Sequence, residues 1–116
     1  MTIEWHYTAH DNLGGVLSVT GYLGTQAADR FTGAVEWAAH RGTGPLIVDL
    51  TELKGWSVEG QGAIAQAALR LAAHDRSLEL AAIPANGSLV PDAAQIPIPV
   101  HADLNTALAA HRRADT

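Results

Sequence analysis

The sequence predicts an α/β fold in which a mixed β-sheet of about five strands carries helices mainly on one face. An N-terminal stretch alternates apolar and polar residues, which is typical of strands with one wet face. Later segments place apolar residues at helical spacing. Between these segments lie short continuous apolar runs, which are typical of strands covered on both faces. At 116 residues, the chain is expected to form one domain, residues 1–116.

The N-terminal half of the predicted sheet is a hairpin. Ile3, Trp5 and Tyr7 alternate with polar neighbours in TIEWHYTAH, which predicts an edge or near-edge strand over 3–8. The turn sequence DNLGG follows, and VLSVTGYL then predicts a second strand over 14–20. This part of the sheet is therefore expected to be antiparallel.

The period then changes from two to that of a helix. Apolar residues at helical spacing predict a helix over 25–40, with Thr25 as its N-cap and Gly42 just past its end. The apolar run in GPLIVDL predicts a covered strand over 45–50.

The C-terminal half continues this alternation of helices and strands. SVEGQGAIAQAALRLAAHD predicts a helix over 57–74, and SLELAAIP predicts a covered strand over 78–83. Turn residues in ANGSLVPDAAQIP leave room for one helical turn at most. IPIPV predicts an edge strand over 96–100, because its prolines suit an edge, and ADLNTALAAHRR predicts a final helix over 103–113.

Composition and charge exclude several classes of function. The formal net charge is −5 and the arginines are scattered, so nucleic-acid binding is not expected. No apolar run approaches the ~20 residues needed to span a bilayer, and the N-terminus lacks the pattern of a signal peptide. The chain contains no cysteine, which is compatible with the cytoplasm. We expect a cytoplasmic protein without membrane insertion.

The motifs of common catalytic and cofactor sites are also missing. The sequence has no nucleophile elbow, Walker loop or dinucleotide fingerprint. Six histidines are present, but no pair has the helix spacing of a zinc site with a third ligand nearby. We therefore expect no catalytic residue, no metal site and no cofactor. The histidines are His6, His10, His40, His74, His101 and His111.

The segment LKGWSVEGQGAI contains the residues that invite a functional interpretation. Glu59 in the first turn of the predicted helix is explained by the helix dipole alone, or it serves a partner. Ser57 suits an N-cap, and the alternative is a displaced phosphorylation site. Gly60 and Gly62 each cost a helix about 1 kcal/mol relative to alanine, so they indicate either close packing on the sheet or close approach of a partner. Trp56 is either an exposed anchor for a partner or a lid on the core.

Four segments in order resemble STAS domains, the anti-sigma-factor antagonists of bacterial partner-switching systems. VLSVTGYL is similar to the family's second strand with its Gly-x-Leu signature, and GPLIVDLTEL to its central strand. WSVEGQGAI is similar to the loop and helix start, and IPVHADLNTALAA to the final strand and helix. The resemblance covers nearly the whole chain and implies a STAS-like mixed sheet.

The chain departs from that family at the regulatory position. Antagonists open the helix with Asp-Ser-Ser-Gly, whose second serine is phosphorylated, whereas this chain has Ser57, Val58, Glu59 and Gly60. Gly24 stands where the family commonly has an aspartate after Gly-x-Leu. The segment after LAAIP is also too short for the helix usual there. The resemblance therefore implies a member that is not controlled by serine phosphorylation, in which Glu59 either mimics phosphoserine or only stabilises the helix.

The resemblance implies a non-catalytic protein-interaction domain, a monomer or weak homodimer. Its partner would be an anti-sigma factor or another kinase-fold regulatory protein, docking on residues 21–25 and 55–64. The expected partner-binding residues are Gly24, Trp56, Ser57, Val58, Glu59, Gly60 and Gly62.

Two alternatives remain. STAS domains also serve as regulatory subunits of ABC transporters, and related modules are thought to hold small apolar ligands or lipids. An apolar pocket lined by Trp56 would favour that ligand-binding module. An enzyme of unrecognised chemistry is the third hypothesis, because the absence of a motif is weak support for an absence of catalysis.

Overall fold

The computed structural model describes residues 2–10, 13–84 and 98–114. In that part of the chain it contains six strands and three α-helices. None of these helices is long and apolar enough to cross a membrane. In chain order the elements are β1 (Ile3–His10), β2 (Leu13–Leu23), α1 (Ala28–Ala39), β3 (Leu46–Asp49), β4 (Leu53–Trp56), α2 (Val58–Ala72), β5 (Leu78–Ala81), β6 (Val100–His101) and α3 (Leu104–Ala114).

The sheet is mixed, as predicted. β1 and β2 form the antiparallel hairpin, and every other pair of strands is parallel. The order across the sheet is β1-β2-β3-β5-β6. β2 is 11 residues long and pairs with two strands in turn, with β3 through 15–18 and with β4 through 21–23. β4 was not predicted, and it carries the chain to the start of α2.

The two faces of the sheet are covered unequally. α1 and α2 pack together on one face, where Leu17, Val48 and Leu80 belong to the same buried core as Phe31 and Ile64. α3 covers the other face with a smaller cluster, formed by Val16, Ile47, Ala81, Leu104, Ala107 and Leu108. This arrangement confirms the prediction that the helices pack mainly on one face.

The sequence misplaced the start of α1. Thr25 does not cap an α-helix; it begins a single 3-10 turn, Thr25–Ala27, and α1 starts at Ala28 with no side-chain cap. The hydroxyl of Thr25 instead donates a hydrogen bond to Glu59, in the first turn of α2.

The last predicted strand can be compared only in part. β6 begins at Val100, at the end of the strand predicted over 96–100. The turns predicted before it, in residues 85–97, lie outside the described residues.

Candidate functional site

The ends of β2 and β4 bring together two loops that are far apart in sequence. The strands are parallel, and Leu23 is the register partner of Trp56. One residue further on, the N–H of Ser57 donates a hydrogen bond to the carbonyl oxygen of Leu23 at 3.0 Å. Gly24 and Thr25 therefore lie beside the first turn of α2, as the expected docking residues 21–25 and 55–64 require.

Ser57 is the N-cap of α2, as predicted. Its backbone is extended, and its Oγ accepts a hydrogen bond from the N–H of Gly60 at 3.1 Å. The carbonyl oxygen of Ser57 accepts the N–H of Gln61 at 3.0 Å. These bonds satisfy the cap, so Ser57 has a complete structural role.

Glu59 lies in the first turn of α2 and is exposed. The unpaired N–H groups and the dipole of the helix favour a carboxylate at this end by about 0.3–1 kcal/mol. The Oγ1 hydroxyl of Thr25 also donates a hydrogen bond to Glu59 Oε1 at 3.2 Å. Sequence analysis included Thr25 in the docking range 21–25 but did not predict this bond, because the two residues are 34 positions apart and no local pattern joins them.

The three candidate glycines differ in what a side chain at each position would contact. A Cβ on Gly60 would lie 2.0 Å from the carbonyl oxygen of Leu23, and one on Gly24 would lie 2.8 Å from the ring of Tyr22. Gly60 is therefore needed for close packing against the backbone of β2, whereas a side chain at residue 24 would require the partly exposed ring of Tyr22 to shift. A Cβ on Gly62 would meet nothing within 4 Å, so packing does not explain that glycine.

Trp56 is buried and Val58 is exposed, although both side chains are apolar. Trp56 is only 6% exposed and belongs to the core beneath α1 and α2, so it is a lid on the core rather than an exposed anchor. Its Nε1 atom has no hydrogen-bond partner among the described residues. Val58 is 73% exposed, although it is apolar.

The exposed residues form one small surface at this end of α2. Val58 and Gly62 are four positions apart and lie on the same side of the helix. Glu59 is next to Val58, and Thr25 is bonded to Glu59. We call Thr25, Val58, Glu59 and Gly62, all of which are exposed, the α2 N-terminal surface.

The ligand-binding alternative calls for an apolar pocket lined by Trp56, and a cavity elsewhere among the described residues does not have that lining. A cavity of about 450 Å³ lies where α1 and α2 end, and Trp56 does not line it. The polar residues His40, Thr43, His74, Asp75 and Arg76 contribute to its lining.

A second group of polar side chains lies on the face of the sheet that α3 covers. Glu79, His101 and His111 come together there, with ligand atoms close enough to hold a metal ion. Their separations in sequence match no metal-binding motif, so sequence analysis did not identify them.

Comparison with known proteins identifies the family. The family described as "Mlab, STAS domain" matches residues 6–93, which is most of the chain. This chain belongs to the STAS family. Its fold is also that of the anti-sigma factor antagonist SpoIIAA in its unphosphorylated form, with a TM-score of 0.63 and 16% sequence identity. That match covers 97% of this STAS chain and 100% of the other. No curated protein matches the sequence significantly.

The STAS fold explains why the candidate residues lie together. Its parallel strands β2 and β4 end at one edge, and α2 starts directly from that edge. The α2 N-terminal surface of this STAS domain is therefore held by strands and a helix rather than by a free loop.

Proposed function

We propose that this STAS domain is a non-catalytic protein-interaction module of the anti-sigma-factor-antagonist kind. It acts in partner switching and binds its partner through the α2 N-terminal surface. The partner is an anti-sigma factor or a related kinase-fold regulatory protein. The observation that carries the proposal is the 73% exposure of Val58 in the first turn of α2, beside the exposed carboxylate of Glu59.

An exposed valine next to a carboxylate favours a protein partner. The apolar side chain of Val58 is exposed to water, so its burial by a partner would favour binding. The charge of Glu59 would fix the partner's orientation and attract a cationic side chain. Gly62 leaves open space beside Val58, so a partner's backbone can approach the helix closely. A rigid start of a helix supports such recognition, because little conformational entropy is lost when it binds.

Binding is proposed to be independent of serine phosphorylation. The antagonist phosphoacceptor position is occupied by Glu59, which has no hydroxyl. The nearest serine, Ser57, uses its Oγ to cap the helix. A phosphate on that oxygen would replace the cap by a bulky dianion.

The polar groups at and beside this surface support a non-catalytic role. They are the hydroxyl of Thr25, the engaged hydroxyl of Ser57 and the carboxylate of Glu59. A nucleophile needs an adjacent base oriented by a third group. The bonds described for these three groups serve the helix and the loop instead.

A regulatory subunit of an ABC transporter is the second candidate. The observation that favours it is the description of the matched family by the name Mlab rather than as an antagonist. Such a module would use the same surface and differ in what binds it. The ligand-binding version has less support, because Trp56 is buried in the core.

Affinity capture with three baits tests the proposal. The baits are the wild type, Val58→Asp, and Leu69→Asp as the matched control. Leu69 is a second exposed apolar residue of α2, 41% exposed, and lies about 16 Å further along the helix. We expect a kinase-fold protein to be retained by the wild type and by Leu69→Asp, and lost with Val58→Asp.

Two other results would change the proposal. Capture of an ABC-transporter ATPase with the same dependence on Val58 would favour the second candidate. Equal capture by all three folded baits would exclude the α2 N-terminal surface as the binding site.

A further inference from the structure

Three elements place a histidine-carboxylate cluster beneath α3. Residues of β5 alternate between the two faces of the sheet, so Leu80 faces α1 and α2 while Glu79 faces α3. His101 of β6 is the register partner of Ala81, which also contributes to the α3 face. His111 continues the buried stripe of α3, since positions 104, 107, 108 and 111 share one side of a helix.

The side chains of the cluster converge on one point. Nε2 of His101 and Nε2 of His111 each lie 2.8 Å from the same oxygen, Oε1 of Glu79. The Glu79 side chain is 9% exposed, and both histidines are mostly buried. The two rings are inclined at 67° with centroids 6.4 Å apart, so they approach the carboxylate from two sides and do not stack.

We propose that Glu79, His101 and His111 form a binding site for a divalent transition-metal ion, with Zn²⁺ the best match. Two imidazole nitrogens and one carboxylate oxygen are a donor set that zinc accepts, whereas Mg²⁺ and Ca²⁺ prefer oxygen ligands. The three ligand atoms lie within 4.8 Å of one another. Tetrahedral zinc with bonds of about 2.0–2.2 Å needs ligand atoms about 3.4 Å apart, so small side-chain rotations are sufficient.

A metal ion would take the place of the hydrogen atoms that lie between the two histidines and the carboxylate of Glu79. Without an ion, both Nε2 atoms must carry a hydrogen to donate to the carboxylate of Glu79. A bound ion accepts lone pairs from those nitrogens and from Oε1, and each neutral ring then carries its hydrogen on Nδ1, whereas a ring protonated on both nitrogens releases one proton to solvent. Because the ligands come from β5, β6 and α3, the ion would fasten the C-terminal helix to the edge of the sheet.

Zinc titration of the folded chain tests the site. After treatment with chelator, calorimetry should show one Zn²⁺ bound per chain, and saturating zinc should raise the Tm by about 5 °C or more. His111→Ala and Glu79→Gln should each weaken binding at least about tenfold, or about 1.4 kcal/mol. His74→Ala is the matched control, because His74 and His40 form the other close histidine pair, with ring centroids 5.2 Å apart.

A measurement on the wild type keeps the test decisive if a variant fails to fold. Histidine acylation mapped by mass spectrometry should show that zinc protects His101 and His111 and leaves His74 reactive. A lack of saturable zinc binding would overturn the proposal, and the cluster would then act only as a hydrogen-bonded clamp. Binding that is lost with His74→Ala, or zinc protection at His74 instead, would also overturn it.

Discussion

The hydroxyl of Thr25 donates a hydrogen bond to the carboxylate of Glu59 across 34 positions of sequence. The bond joins the loop after β2 to the first turn of α2. It gives Glu59 a second structural role besides its interaction with the helix dipole. Both residues are exposed, so a partner that approaches α2 would meet them together.

Replacement of Glu59 by glutamine separates the charge from the hydrogen bond. Glutamine still accepts a bond from Thr25 but loses the interaction with the dipole of α2. We expect the free energy of unfolding to fall by at most about 1 kcal/mol at low salt, and by less at high salt. Urea unfolding at two ionic strengths measures this, with Glu52→Gln as the control, since Glu52 is exposed and lies in a turn. An equal loss in both variants would show that the helix start does not matter.

The missing serine predicts resistance to phosphorylation. We expect incubation with ATP and an antagonist-type serine kinase to leave residue 59 unmodified, and Ser57 as well, because its Oγ caps α2. Glu59→Ser restores a hydroxyl at the family's acceptor position and serves as the positive control. Mass spectrometry of the peptide provides the readout. Stoichiometric phosphate on Ser57 of the wild type would contradict the proposed independence from phosphorylation.

Gly60 and Gly62 should respond oppositely to alanine. Gly60→Ala forces a Cβ to within 2.0 Å of the carbonyl oxygen of Leu23, so we expect a loss of about 2 kcal/mol or more. Gly62→Ala enters open space in a helix and should add up to about 1 kcal/mol. Thermal unfolding compares the two. If a partner needs close approach, Gly62→Ala should bind more weakly although it is more stable, and unchanged binding would remove that role from Gly62.

Arg76 should be important for stability, although it lies far from the proposed surface. Its buried guanidinium donates hydrogen bonds at 2.7–3.1 Å to four backbone carbonyl oxygens, two in the last residues of α1 and two in the segment that follows it. Burial lowers the pKa of Arg76, but an arginine remains charged at neutral pH. Arg76→Met removes these bonds and leaves the carbonyl of Ala38 with backbone donors alone, so it should cost about 2–4 kcal/mol. Arg76→Lys keeps the charge and should still lose stability, because an ammonium group cannot replace the planar guanidinium. Wild-type stability in either variant would contradict this. The four carbonyls belong to Ala38, Ala39, Arg41 and Gly44.

Local rules were sufficient where an interaction spans only a few residues. The cap formed by Ser57 and Gly60 was predictable, because serine three positions before the bonded N–H is a sequence rule. The hairpin and the central strands were predictable from their apolar patterns. β4 was not, because four residues containing Lys54 and Gly55 are too few to show a period.

Interactions between distant segments could not be read from the sequence. Thr25 resembles the N-cap of the helix that follows it, and its bond to Glu59 exists only because β2 and β4 are neighbours. The cluster around Glu79 likewise depends on the packing of α3 on β5 and β6, with separations of 22 and 32 positions. Trp56 was ambiguous because both an interface and a core select tryptophan.

Hydrogen exchange of the backbone amides, with and without the purified partner, tests the central claim most directly. Exchange reports which segments a partner protects, residue by residue. We predict slower exchange in the complex at residues 24–25 and 57–62, and no such protection when Val58→Asp is mixed with the partner at the same concentration. Protection confined to α3, or to residues 40–44 at the opposite end of α1, would contradict the assignment of partner binding to the α2 N-terminal surface.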